Sequence, residues 1–83
     1  METLDKMAVM FRALIISSNL ERFTIKNLED DFKLLEGYSI PYEAYGFRQL
    51  EDMLRYLCHY VQVHGHGDYV YITPTPTLNG YDD

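Results

Sequence analysis

The chain has one cysteine, no tryptophan and few basic residues, with 7 Lys and Arg against 13 Asp and Glu. One cysteine excludes an internal disulfide framework and a thiolate metal cluster, and it favours a reducing compartment. The formal net charge of −6 argues against a duplex-DNA binder held by phosphate contacts. No apolar run is long enough to cross a bilayer, and the N-terminus lacks the basic-then-apolar pattern of a signal peptide. We therefore expect a single soluble domain of 83 residues with one hydrophobic core.

Two helices are predicted in the first half of the chain. Apolar residues recur at three- and four-residue steps over residues 4–18, and Thr3 can cap this helix by accepting a backbone N–H. Thr24 is the predicted cap of a second helix over residues 25–36, and Gly37 suits its left-handed exit. The buried stripe predicted for the second helix is Ile25, Leu28, Phe32 and Leu35.

A third helix is predicted after a proline-led turn. Pro41 suits the start of a short helical turn over residues 42–45. The helix then follows over residues 47–58, with Cys58 facing the core. Its predicted buried stripe is Leu50, Met53, Leu54 and Leu57. Its outer face carries opposite charges one turn apart, Arg48–Asp52 and Glu51–Arg55.

The hydrophobic period then changes to two, which predicts a β-hairpin. The strands are residues 60–64 and 69–73, joined by a glycine-containing turn. One face is predicted to carry Val61, Val63, Val70 and Ile72, and the other Tyr60, Gln62, His64, Tyr69 and Tyr71. Pro74 is expected to stop the pairing because proline has no N–H to donate.

This order of elements predicts an α+β fold. Three main helices, a short helical turn and a C-terminal two-stranded β-wing describe a winged helix-turn-helix. A two-stranded hairpin is not stable alone, so its valine face must pack on the helices. The predicted domain covers residues 4–73, and residues 74–83 are expected to form a flexible tail or the start of a linker.

The middle of the chain resembles a known family. The segment Gly-Tyr-Ser-Ile-Pro-Tyr at residues 37–42, the Gly-Phe at residues 46–47 with its Leu-Glu-Asp-Met-Leu helix, and the Val61/Val63 strand resemble the LOTUS (OST-HTH) domain. The resemblance covers roughly residues 4–73. Within the family, the chain looks most similar to germline proteins that join LOTUS to Tudor domains, of the Tejas type, and to Oskar.

This resemblance implies a winged helix without enzymatic activity, in cytoplasmic, perinuclear germ granules (nuage) of the piRNA or germline mRNA pathway. It implies two binding modes. Extended LOTUS domains bind and stimulate the C-terminal RecA-like domain of the DEAD-box helicase Vasa, through the second helix and an additional C-terminal helix. Minimal domains lack that helix, and some bind RNA, with a preference for G-quadruplexes. Residues 74–83 do not have the pattern of a helix, so either the domain is minimal or the chain is cut before the extra helix.

Three surfaces are therefore candidate interaction sites. The helicase site is predicted on the outward side of the second helix, at Lys26, Asn27, Asp30, Asp31 and Leu34. The alternative is an RNA site at Arg48, Gln49, Asp52 and Arg55, together with the hairpin. The tyrosine-bearing hairpin face, Tyr60, Gln62, His64, Tyr69 and Tyr71, is a further candidate for a partner or a homodimer, as in some family members.

Metal binding and catalysis are not predicted. His59, His64 and His66 lie near Cys58, but zinc needs a convergent tetrahedral ligand set. The carboxylates of the second helix are typical of a solvated helix face. We therefore expect no cofactor, no metal, no membrane contact and no catalytic residue.

Overall fold

The computed structural model of the chain describes residues 2–76. In this range three α-helices precede a two-stranded antiparallel hairpin, and two short 3₁₀ turns lie in the connections. The elements are α1 (Leu4–Ser17), α2 (Ile25–Glu36), the first 3₁₀ turn (Tyr42–Tyr45), α3 (Leu50–Tyr56), β1 (Val61–His64), the second 3₁₀ turn (Gly67–Tyr69) and β2 (Tyr71–Pro74). This order confirms the predicted α+β winged-helix class.

Both long helices begin at the predicted threonine caps. Thr3 Oγ1 accepts a hydrogen bond from the backbone N–H of Lys6 at 3.1 Å. Thr24 Oγ1 accepts from the backbone N–H of Asn27 at 3.1 Å, and Asn27 Oδ1 accepts from the Thr24 N–H at 2.9 Å. This reciprocal pair is a capping box in which asparagine stands where Glu or Gln is usual. Gly37 ends α2 with a φ of 86°, which confirms the predicted left-handed exit.

The core lies where the inner faces of the helices meet the hairpin. Phe11 of α1 and Phe32 of α2 are fully buried, and their rings meet edge to face with centroids 6.0 Å apart. A second edge-to-face contact, at 5.6 Å, joins Phe32 to Tyr38 just after α2. The other buried members of the cluster are Met7, Ala8, Ile15, Phe23, Leu28, Ile40, Leu50, Met53, Leu54, Leu57, Val61 and Ile72.

In the described residues, β2 lies between two extended partners. It pairs antiparallel with β1, which places Val63 opposite Ile72. On its other side, Ile72 bridges Phe23, and the Ile72 N–H donates to the Phe23 carbonyl oxygen at 2.7 Å. The extended link before α2 is therefore attached to the wing. Val61 and Val70 are buried as predicted.

The third helix is shorter than predicted. It spans Leu50–Tyr56 rather than residues 47–58, because Gln49 has an extended backbone (φ −137°, ψ 153°). At its other end, the N–H groups of Tyr60 and Val61 both donate to the Leu57 carbonyl oxygen, which closes a tight turn into β1. The predicted stripe is confirmed, since Leu50, Met53, Leu54 and Leu57 are all buried.

Two side chains predicted to be buried are exposed. Leu35 is 61% exposed, because it lies in the last turn of α2, past the Phe11–Phe32 contact. Cys58 is also exposed, since α3 ends at Tyr56 and leaves this residue in the turn. The prediction that both face the core is wrong.

The second strand is displaced along the chain from its predicted position. Tyr69 lies in the second 3₁₀ turn, not on a strand, and Pro74 pairs opposite Val61. The Thr75 N–H donates to the Tyr60 carbonyl oxygen at 3.0 Å, so the neighbouring Pro74 occupies a non-hydrogen-bonded position of the ladder. No proline N–H is needed there, and the prediction that pairing stops before Pro74 is wrong.

Tyr45 connects the first 3₁₀ turn to the start of the chain. Its hydroxyl donates to the Glu2 carbonyl oxygen, and its ring packs against the core. Burial raises the pKa of Tyr45 above its ordinary value of 10.0, and the negative charge of Glu2 raises it further. Of the predicted tail, residues 77–83 lie outside the described residues. Among residues 2–76, no helix is both long enough and apolar enough to span a membrane.

Candidate functional site

Of the predicted helicase-binding residues, Lys26, Asp30 and Leu34 are exposed on the side of α2 away from its buried residues, whereas Asn27 and Asp31 are half-buried. We call these five residues the α2 surface. Leu34 is 87% exposed, whereas Leu28 and Phe32 are fully buried. Leu34 therefore contributes almost nothing to the core. Leu35, the next residue along the helix, is also exposed, at 61%.

The polar residues of the α2 surface have different environments. Lys26 Nζ lies 3.4 Å from Asp30 Oδ1 in an exposed pair one turn apart. Such pairs contribute little to stability, about 0.3–0.5 kcal/mol. Asn27 Oδ1 accepts the hydrogen bonds of the capping box, so this residue has a structural role. Asp31 is half-buried and makes no hydrogen bond or ion pair within residues 2–76, so its carboxylate is available to a partner.

The alternative RNA-binding residues do not form a basic surface. Arg48 and Gln49 precede α3, so Arg48 and Asp52 are not one helical turn apart, and residues 2–76 contain no ion pair between them. Arg55 is engaged: its Nη2 and Nε lie 2.8 and 3.0 Å from Glu51 Oε2, as predicted for that pair. Arg55 also donates to the Gly65 carbonyl oxygen at 3.3 Å, which connects α3 to the wing.

The residues of the predicted hairpin face do not lie together on one surface. Tyr60 is half-buried against the core, and Tyr69 is exposed in the second 3₁₀ turn. Gln62 remains exposed on β1. His64 and Tyr71 lie opposite each other, with stacked rings 4.8 Å apart at an interplanar angle of 20°. A continuous tyrosine surface is therefore absent from the described residues, and the outer side of the strands carries Gln62 and the His64–Tyr71 pair.

Arg22 is a residue of this face that the sequence analysis missed. Its guanidinium carbon lies 4.5 Å from the centroid of the Tyr71 ring, in a cation–π contact. The Phe23–Ile72 bridge brings Arg22 there by attaching the link to β2. The signal available in the sequence was the extended Arg22-Phe23 dipeptide next to a helix cap, which is compatible with a short third strand.

The outer side of α1 is a second exposed apolar area. Val9 and Ile16 are each more than half exposed, and both lie on the side of the helix opposite the buried Phe11. Leu20, just after the helix, is exposed to the same extent. No site was predicted here, because the helical spacing of apolar residues indicates the buried side of a helix and not its exposed one.

Metal binding has no support in the described part of the chain. Within residues 2–76, no group of three or more His, Cys, Asp and Glu side chains is close enough to hold a metal ion. His64 instead contacts Thr73, with 2.8 Å between Nε2 and Oγ1.

The fold and the sequence pattern agree with one family. The OST-HTH/LOTUS domain model matches residues 2–73, which is most of the chain. No curated protein matches it. OST-HTH/LOTUS domains are binding modules rather than a class of enzyme, and the family is known for protein and RNA interactions in the germline. By this match, the chain belongs to the OST-HTH/LOTUS domain family.

Proposed function

We propose that this domain is a non-catalytic module that binds the C-terminal RecA-like domain of a Vasa-type DEAD-box helicase through the α2 surface, and so recruits or stimulates the helicase. The proposal places the protein in cytoplasmic, perinuclear germ granules, in the piRNA or germline mRNA pathway. It also places the chain near the Tejas type of LOTUS–Tudor protein and near Oskar. Family membership and the use of the second helix by extended LOTUS domains support it.

The exposure of Leu34 is the observation that carries the proposal. A leucine that is 87% exposed is available for burial by a partner, and full burial of such a side chain contributes about 1.5–3 kcal/mol. Charged side chains lie around it, as expected for the polar rim of a contact with an apolar centre. The carboxylate of Asp31, which has no partner within residues 2–76, adds a group that can pair with a cation of the helicase.

Charge complementarity also supports a helicase partner. The chain carries a net charge of −6. A RecA-like domain that handles RNA is expected to present basic patches. Opposite potentials raise the association rate and select the docking orientation more than they raise affinity.

Calorimetric titration with the helicase C-terminal domain tests the proposal. We expect Leu34→Ala to weaken binding about tenfold or more, since a loss of 1.4 kcal/mol corresponds to a factor of ten. Asp31→Asn should reduce affinity less. Ile16→Ala is the matched control, because it truncates an exposed aliphatic side chain on another helix.

Two results would overturn the proposal. The first is that neither this chain nor a C-terminally extended version binds the helicase domain. The second is that Leu34→Ala binds as tightly as the unmodified chain.

RNA binding is the second candidate, and the Arg22–Tyr71–His64 row favours it. Aromatic rings beside a cation are the elements of single-strand binding surfaces. A mobility-shift assay with a G-quadruplex and a single-stranded control tests this candidate at low salt, where phosphate contacts are strongest. Absence of binding there would eliminate it.

Homodimerisation through the hairpin is a third candidate. In the described residues, β1 pairs on one side only, with β2, and an unpaired strand edge is a template for a second copy. Sedimentation equilibrium at high protein concentration tests it, and a monomer there would eliminate it.

A further inference from the structure

An open cavity of about 360 Å³ lies between the first turn of α1 and the turn that joins α3 to β1. Its walls are Asp5, Tyr56, Leu57, Cys58, His59 and Tyr60. This volume is near the lower end of the range for ligand pockets, so it suits one side chain better than a cofactor. The cavity shares no residue with the α2 surface.

The walls combine one carboxylate with two tyrosine rings. Asp5 is exposed and makes no hydrogen bond or ion pair within residues 2–76. Tyr56 and Tyr60 are the aromatic residues of the walls, and an aromatic ring attracts a cation placed over its face. Among residues 2–76, the residues that line the cavity include no Lys or Arg. A cationic group therefore finds complementary partners here, whereas a phosphate would find a carboxylate and no permanent positive charge.

The backbone of the turn is held in place. The Tyr60 N–H donates to the Leu57 carbonyl oxygen at 2.9 Å. Thr75 donates through Oγ1 to the Cys58 carbonyl oxygen at 2.8 Å and through its N–H to the Tyr60 carbonyl oxygen at 3.0 Å. These bonds fix the wall residues before any ligand arrives, so little ordering is needed on binding.

The ring of Tyr56 has a fixed support as well. It lies against Phe47, with centroids 5.5 Å apart at an interplanar angle of 53°. Although Tyr56 is mostly exposed, this contact restricts the motion of its ring. The hydroxyl makes no hydrogen bond within residues 2–76 and is free to accept one from a ligand.

We propose that this cavity binds a single arginine or lysine side chain of a protein partner, with the Asp5 carboxylate pairing with its charge and the tyrosine rings packing against it. A cavity of this size takes one side chain, so its occupant in the proposal is a single cationic residue on the surface of a protein partner. The net charge of −6 favours a basic partner. The inference does not depend on helicase binding by the α2 surface, since it uses other residues and another ligand chemistry.

The test is an NMR titration of the full chain with N-acetyl-arginine methylamide at pH 7.5. We expect saturable shifts of the backbone amide signals of Asp5, Cys58, His59 and Tyr60. The matched probe is N-acetyl-citrulline methylamide, which has a similar shape without the charge. It should bind at least several-fold more weakly.

Variants locate the interaction. Asp5→Asn should weaken arginine binding about two- to fivefold, which is the range for an exposed ion pair. Asp68→Asn removes the same charge outside the cavity and should leave arginine binding unchanged. Tyr56→Leu should weaken binding about two- to fivefold through loss of the cation–π contact, whereas Tyr56→Phe should retain it.

Three results would overturn the proposal: equal binding of citrulline, arginine-induced shifts elsewhere on the domain, or equal losses from Asp5→Asn and Asp68→Asn. The measured quantity is arginine binding at this cavity, so the outcome of this test is independent of the outcome of the helicase titration.

Discussion

Two leucines on the same helix give a sharp test of the α2 surface. Leu28 is fully buried, and Leu34 is 87% exposed. Replacing each with alanine removes the same atoms from the same helix, so differences in helix propensity cancel. Leu28→Ala should lower the free energy of unfolding by about 2–5 kcal/mol, because the lost transfer energy is joined by the cost of a cavity. Leu34→Ala should change it by no more than about 0.5 kcal/mol, as for other surface positions.

Thermal and urea unfolding followed by circular dichroism measure both values. For a domain of this size, 1 kcal/mol shifts the midpoint temperature by about 4–8 °C. Leu28→Ala should therefore lower the Tm by at least about 8 °C, and Leu34→Ala should remain within about 4 °C of the unmodified chain. Urea midpoints should move in the same order with unchanged slopes.

A large stability loss on Leu34→Ala would refute the reasoning. It would mean that the side chain is covered within the chain itself, and the α2 surface would lose its apolar centre. If the stability of Leu34→Ala is unchanged, as we expect, any loss of helicase affinity in this variant is a direct effect on the contact.

Three further predictions concern local structure. Thr24→Ala should cost about 1 kcal/mol by removing the capping box, and an unchanged urea midpoint would contradict this. Gly37→Ala, where φ is 86°, should lower the free energy of unfolding by about 1–2 kcal/mol. Gly65→Ala should lower it more, because the added Cβ would lie 2.7 Å from a backbone carbonyl oxygen. Equal losses in thermal unfolding would argue against that clash. A double-mutant cycle on Arg22 and Tyr71 should give a coupling of about 0.5–1 kcal/mol, and no coupling would exclude the cation–π contact.

Local signals in the sequence predicted the helices well. The caps at Thr3 and Thr24 and the left-handed exit at Gly37 each depend on one side chain or one φ angle, and all three are confirmed. Leu28 and Phe32 were found by their four-residue spacing, because a helix with one buried side must place its apolar residues at that period. These features need no knowledge of distant contacts.

Features that depend on neighbouring elements were predicted less well. The periodicity placed Leu35 in the stripe, but it cannot show where α1 stops covering α2. Pro74 stays in β2 because it falls between hydrogen-bonded positions, and that depends on the hairpin register. Tyr69 lies outside β2, because the turn between the strands contains a 3₁₀ segment that includes it. Register and packing edges are properties of pairs of elements, so one segment read alone does not contain them.

In the candidate sites too, local features were predicted and contacts between distant residues were not. Leu34 was singled out correctly as lying outside the buried stripe, because helical spacing alone excludes it from the core. The contact of Arg22 with Tyr71 was not predicted, since nearly fifty positions separate the two residues and the bridge between Phe23 and Ile72 brings them together.

The arrangement of the cations, more than the net charge, favours a protein over RNA as the main partner. Of the seven Lys and Arg side chains, four are engaged within the described chain: Arg12 with the Thr75 carbonyl oxygen, Arg22 with Tyr71, Lys26 with Asp30 and Arg55 with Glu51. The other three lie on separate segments, Lys6 on α1, Lys33 on α2 and Arg48 before α3. Affinity for a nucleic acid backbone grows with the number of phosphates neutralised together. Scattered cations allow about one or two such contacts, so any RNA complex of this domain should show a shallow salt dependence. A protein contact centred on Leu34 needs no such cluster.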